Sequence, residues 1–178
     1  MVLLLSSITV SAQTRNISAE ILGASQLAGV SYDSRFSGND GFGYRAGIAY
    51  GLGINSLIFS GEQNVHAVTV PIEINYLLGK KRSHLELGLG MSNGLYRVHT
   101  KTGEFTATGE DGSTYTVPAT DETNYNWGYF FFGDIGYRFQ LEKGFTFRIG
   151  VNPSFSFNTK HAVQKNWLTP YISIGWSF

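Results

Sequence analysis

Apolar and polar residues alternate along most of this chain with a period of two. Phe145, Phe147, Ile149, Val151, Pro153, Phe155 and Phe157 interleave with Thr146, Arg148, Gly150, Asn152, Ser154 and Ser156. Such alternation predicts a strand with one oily face and one polar face. Eight segments of this kind are predicted, near 16–23, 30–36, 42–53, 66–78, 84–99, 124–140, 145–158 and 167–178. No amphipathic helix of useful length is present, and no stretch reaches the ~18 apolar residues of a spanning helix.

The connections fall into two classes. Those at 37–41, 79–83 and 141–144 are tight and rich in Gly, Lys, Asn and Asp. Those at 54–65, 100–123 and 159–166 are longer, and the link at 24–29 is short. The tight connections are the second, fourth and sixth, so they share one end of the sheet with both termini. Membrane barrels have this layout, with short periplasmic turns, longer outer loops and an even strand count. The division of 16–36 at "GASQLAG" decides the parity. One continuous strand there would give seven and send the termini to opposite ends.

The polar face then decides which side is inside. It mixes glycine with charge: Gly43, Arg45, Gly47 and Gly51 in the third strand, Glu86, Gly88 and Gly90 in the fifth, Asp134, Gly136 and Arg138 in the sixth. A water-facing strand is only weakened by so much glycine. The narrow lumen of an eight-stranded barrel uses it, because small residues leave room for long ones. By this phasing Arg35, Arg45, Arg138 and Arg148 point to the polar face with Glu20, Asp33, Glu73, Glu86 and Asp134. All six lysines (80, 81, 101, 143, 160, 165) fall in the predicted turns and loops. Arginine pairs with carboxylates in planar, bidentate fashion and suits a desolvated site, whereas lysine prefers full hydration. The expectation is a packed lumen network of those nine residues. A solvated polar face, as in a soluble lipocalin-like binder with the phenylalanines inward, leaves the Arg/Lys segregation unexplained.

The apolar face has only lipid to meet, since a band this large would aggregate in water. Aromatic residues gather at both strand ends: Phe36, Phe42, Tyr76, Tyr137, Phe139, Phe145, Trp176 and Phe178 near the short turns, and Tyr50, Tyr96, Tyr125, Trp127, Phe157 and Trp167 near the longer loops. Two such rings are expected to be interfacial girdles. Pro71, Pro153 and Pro170 fall inside predicted strands, where bulges or strand beginnings are the expected explanation.

Composition narrows the rest. The 178 residues suit one domain, and 13 basic against 13 acidic residues give no electrostatic footprint for nucleic acid. Without cysteine there is no disulfide, thiolate metal site or lipidated cysteine anchor. "VLLLSSITV" (2–10), followed by small residues up to Ala12, reads as the remnant of a signal peptide, although the basic stretch that normally precedes such a core is missing. The barrel proper is expected over 13–178.

The terminal "YISIGWSF" resembles the last strand of small Gram-negative outer-membrane β-barrel proteins of the eight-stranded OmpA/OmpX kind. Those end on an aromatic residue with apolar residues at every second position before it; here the set is Ile172, Ile174, Trp176 and Phe178. "SYDSRF", "GFGYRAGIAYG", "PIEINYLLGKK" and "HLELGLG" are similar to barrel proteins common in Bacteroides-type bacteria. The resemblance implies a bacterial outer-membrane location, contact with lipid and lipopolysaccharide, and a transient encounter of the terminal strand with the barrel-assembly machinery. It implies no activity and no cofactor, because a fold does not fix a function.

Candidate chemistry is sparse. His66, His99 and His161 are expected near the outer loops and His84 at the periplasmic end; Glu62, Glu110, Asp111 and Ser113 are the nearest partners for catalysis. No spacing motif joins them, and catalysis needs nucleophile, base and orienting group within hydrogen-bond reach. A three-histidine metal site has no support beyond the count, so neither a catalytic residue nor a metal ligand is assigned. "EFTATGEDGSTYTV" (104–117) predicts a hairpin turning at "GEDG", so the fifth and sixth strands are expected to continue outward as a projecting arm. The apolar "SLIF" (56–59) is expected to pack on the barrel mouth, touch lipopolysaccharide or serve a ligand. The expected role is non-enzymatic: surface structure, recognition or adhesion through the outer loops, with the ligand unassigned. The alternatives are a lipid-modifying or proteolytic barrel enzyme and a small channel or apolar-solute transporter.

Overall fold

The computed structural model describes residues 14–52, 63–108, 112–155 and 167–178. The leader-like segment, the 56–59 stretch, Glu62, Glu110, Asp111, Phe157 and His161 lie outside the described residues. In chain order the strands are β1 (Arg15–Leu22), β2 (Ala28–Arg35), β3 (Gly41–Leu52), β4 (Gln63–Lys80), β5 (Ser83–Thr102), β6 (Phe105–Thr108), β7 (Thr114–Val117), β8 (Thr120–Gln140), β9 (Gly144–Phe155) and β10 (Trp167–Ser177). Eight close into a barrel in the order β1-β10-β9-β8-β5-β4-β3-β2, every pair antiparallel. β6 and β7 form a separate hairpin between β5 and β8. The division at "GASQLAG" is real: a single 3-10 turn, Gly23–Ser25, separates β1 from β2.

The barrel is turned oily side out. Ile48, Leu89 and Trp176 are 68%, 65% and 63% exposed, whereas Arg35, Arg138 and Arg148 are each 1% exposed. Water does not tolerate that arrangement and lipid requires it. The outward aromatics Trp127 and Tyr137 bound the band on β8. Ten residues at ~3.4 Å each span about 34 Å along the strand, and a tilt of roughly 40–45° reduces this to about 25 Å, the height of a barrel's apolar belt. Tyr96 departs from the expected girdle. It is buried on the lumen face, because its position on β5 shares the parity of Ser92 and Gly94.

The prolines are not bulges. β3 and β4 pair at Ala46↔Ile72 and again at Ala49↔Thr69, with the same register on both sides of Pro71. β8 and β9 pair at Phe132↔Ser154 and again at Ile135↔Val151, likewise in register around Pro153. Each proline removes one donor from the ladder without inserting a residue. At Pro153 the vacancy is filled: the Asn152 side-chain amide donates to the Gly133 carbonyl oxygen (2.9 Å). Pro170 stands near the start of β10, just past the last β1 pair, Leu22↔Tyr171.

Candidate functional site

The period-two pattern delivers one charged side chain after another to the barrel axis. All nine residues expected there are buried and joined. Arg138 takes Asp33 with two parallel bonds, Nη1 to Oδ1 at 3.0 Å and Nη2 to Oδ2 at 2.9 Å. Its Nε and Nη2 also donate to the two oxygens of Glu86, at 3.0 and 2.8 Å. Arg148 donates to Glu86 (2.8 Å), Asp134 (2.9 Å) and Glu20 (3.2 Å). Arg45 bridges Glu73 and Asp134, the latter at 2.7 Å. Arg35 pairs with Asp33 at 2.8 Å.

Partners beyond the sequence reading include Asn75, Tyr171 and Gln140, the last accepting from Arg138 (3.2 Å). Asn75 accepts from Arg35 and donates to Asp33 (3.1 Å) and Glu86 (2.8 Å). The Tyr171 hydroxyl accepts from Arg148 (3.3 Å), whose guanidinium lies 4.9 Å from the ring centroid. With them the network touches all eight barrel strands. Asn75 shares the two-residue phase of Glu73, which is the available signal; Tyr171 gives none beyond its inward parity. Glycine makes the room. A methyl at Gly136 would strike the Tyr171 hydroxyl, and one at Gly88 would strike the Glu73 carboxylate.

Above the network the 3-10 turn folds inward and caps the lumen. Gly23, Ala24, Ser25 and Gln26 are all buried. Asn152 Oδ1 accepts from the Ala24 amide (2.9 Å), Ser25 donates to Glu20 (2.9 Å), and Gln26 donates to the Tyr96 hydroxyl (2.8 Å). Ala24 packs with Phe130 and Phe132. Leu22, Gly23 and Gln26 have φ of 64°, 60° and 62°, the left-handed region that lets so short a link reverse into the barrel.

The carboxylates of Glu73, Glu86 and Asp134 approach within 4.8 Å of one another. Each of the three is bound to at least one guanidinium group. Arg45 sits between Glu73 and Asp134, and Arg138 and Arg148 fill the oxygens of Glu86.

Of the described histidines, His66 and His99 stand apart from the lumen, whereas His84 is buried at the short-turn end. His66 Nδ1 meets the Tyr50 hydroxyl at 2.6 Å. His99 Nδ1 meets Thr123 Oγ1 at 3.0 Å and Asp121 Oδ1 at 3.7 Å. A hydrolytic triad needs its hydroxyl and carboxylate on opposite ring nitrogens; here both approach the same one. Ser113 adjoins the separate β6–β7 sheet. On β10, Ile172, Ile174 and Trp176 point outward, followed by the exposed Phe178.

A closed antiparallel barrel, charged within and apolar without, is a transmembrane β-barrel. No family model matches this chain, and no curated protein matches it in sequence. A solved structure shares its fold. The crystal structure of a major outer membrane protein from Thermus thermophilus superposes with a TM-score of 0.60 at 10% identity, over 94% of this chain and 100% of that one. The N-terminal β-barrel domain of Pseudomonas aeruginosa OprF gives a TM-score of 0.46 at 11% identity, over 93% and 96% of the two chains. The fold is that of an eight-stranded outer-membrane β-barrel, and its exterior puts it in a bilayer.

Proposed function

We propose that this protein is an integral barrel of the bacterial outer membrane that conducts nothing through its lumen and acts at the cell surface. One observation carries this reading: the charged network spans the barrel's cross-section and the inward-folded turn covers it. Leaving one member of a buried pair alone costs roughly 3–5 kcal/mol, so the network resists opening. That leaves the outer end for function. There β5 and β8 continue in register to Thr102↔Thr120, past the last described β8–β9 pair at Phe131↔Phe155, and the β6–β7 hairpin surmounts them. Tyr115 and Phe105 on that hairpin are exposed, as is Tyr125 on β8. Such an arm suits surface structure, recognition or adhesion. Ile172, Ile174, Trp176 and Phe178 form the segment that barrel-assembly machinery would read on the way.

The test has two parts. In planar bilayers the protein should give no steady unit conductance; a defined single-channel step overturns the sealed lumen. Cells displaying the barrel without 103–118 should retain a heat-modifiable protein and lose surface attachment. Attachment equal to wild type overturns the arm's role.

A further inference from the structure

Among the described residues the outer rim is chemically lopsided. Outward positions there are apolar on most strands, as at Ile21, Val30, Phe155 and Leu168. The described outward charges there, Arg97, Lys101 and Asp121, fall on β5 and β8, above and within two stacked rows fixed by the register with β3 and β4. The lower row runs Tyr50–Val68–Leu95–Trp127, and the upper row Leu52–His66–Arg97–Tyr125. Val68, Leu95 and Trp127 are more than half exposed, at 56%, 58% and 55%. Lys101 stands further up β5, opposite Asp121. Among the described residues Asp121 approaches His99 at this rim, and Arg97 and Lys101 form no salt bridge.

We propose that this face is a binding site for the phosphorylated headgroup of an outer-leaflet lipid, with Arg97 as its anchor. The inference rests on the membrane reading above. The lower row lies at the top of the apolar band, where Trp and Tyr mark the interface. Two residues further along a tilted strand, Arg97 stands about 5 Å higher, at headgroup depth. A guanidinium there holds a phosphate with two parallel bonds. In the tautomer protonated at Nε2, His66 Nδ1 accepts from the Tyr50 hydroxyl and the other ring nitrogen is left as a donor. The acyl chains of the same lipid descend along Val68 and Leu95. Cross-strand neighbours stand ~4.5–5.5 Å apart, so His66, Arg97 and Tyr125 fit one headgroup.

Native mass spectrometry of the barrel released from detergent tests this, with diphosphorylated lipid A as the probe. The same lipid without its phosphates and inorganic phosphate serve as controls. Wild type should retain the phosphorylated lipid and release the dephosphorylated one. Arg97→Ala should cut the adduct about tenfold, the loss of one charge-assisted anchor. Arg97→Lys should restore part of it, and Lys143→Ala, at the opposite rim, should change nothing. Equal adducts with the two lipids, or an unaltered Arg97→Ala, overturn the site. Competition by inorganic phosphate marks a free-anion site and overturns the lipid assignment. A wild-type chain that never inserts into bilayers instead breaks the membrane reading itself, and its gel mobility would report that separately.

Discussion

Arg138 and Arg148 stand directly opposite one another on β8 and β9, and one oxygen of Glu86 accepts an Nε–H from each. Like charges so placed repel; the carboxylate from β5 turns the repulsion into a clamp across three strands. Glu86→Gln keeps the shape and removes the charge, leaving two guanidiniums face to face. The expected loss is about 3–5 kcal/mol in detergent unfolding. Lys143→Ala, on a solvated turn, should stay within about 0.5 kcal/mol of wild type. Matching midpoints for the two variants would remove the network from the account of stability.

Gly136 and Tyr171 should be coupled. A methyl at Gly136 meets the tyrosine hydroxyl and lies 3.0 Å from the Ile149 carbonyl oxygen. Gly136→Ala is expected to destabilise, and Tyr171→Phe to recover part of the loss by removing the hydroxyl. A double-mutant cycle should give a coupling above about 0.5 kcal/mol. Strict additivity would show that the glycine is not there to make room.

Asn152 serves two elements at once, giving Gly133 the donor that Pro153 withholds and the 3-10 turn an acceptor. Asn152→Ala strands the half-buried Gly133 carbonyl and the buried Ala24 amide, the latter at about 1–3 kcal/mol. Hydrogen exchange should then quicken at the Ala24 amide before the rest of the barrel opens. Unchanged exchange at Ala24 would show that the turn is held by packing alone.

The lipid face can be read by depth. Leu89→Arg places a charge at mid-band and should cost about 2–4 kcal/mol in bilayer folding. Phe105→Arg, on the projecting hairpin, should cost almost nothing. A harmless Leu89→Arg would contradict the orientation of the whole sheet.

The strands are legible because both environments are extreme. A residue between lipid and a charged lumen cannot change sides without heavy cost, so the two-residue period stays clean from Phe145 to Val151 and from Leu85 to Ser92. The same parity locates all nine network members. Legibility fails where a residue's fate depends on distant strands. Gly23 to Gln26 look like a small polar link, and only Asn152, Tyr96 and Phe130 make their burial favourable. Tyr96 falls among aromatic neighbours by position, although its parity points inward. Proline in a strand suggests a bulge; the repair by an adjacent asparagine side chain requires knowing the facing residue.

The seam between β1 and β10 joins Asn16 to Ser177 and Leu22 to Tyr171. The earliest part of the barrel is therefore completed by the latest. While the ribosome is still at work, Glu20 lacks Arg148, two strand edges lie open, and the greasy exterior has no counterpart. Such a molecule cannot mature segment by segment from its leading end. Its ring can be shut only once the last strand is available.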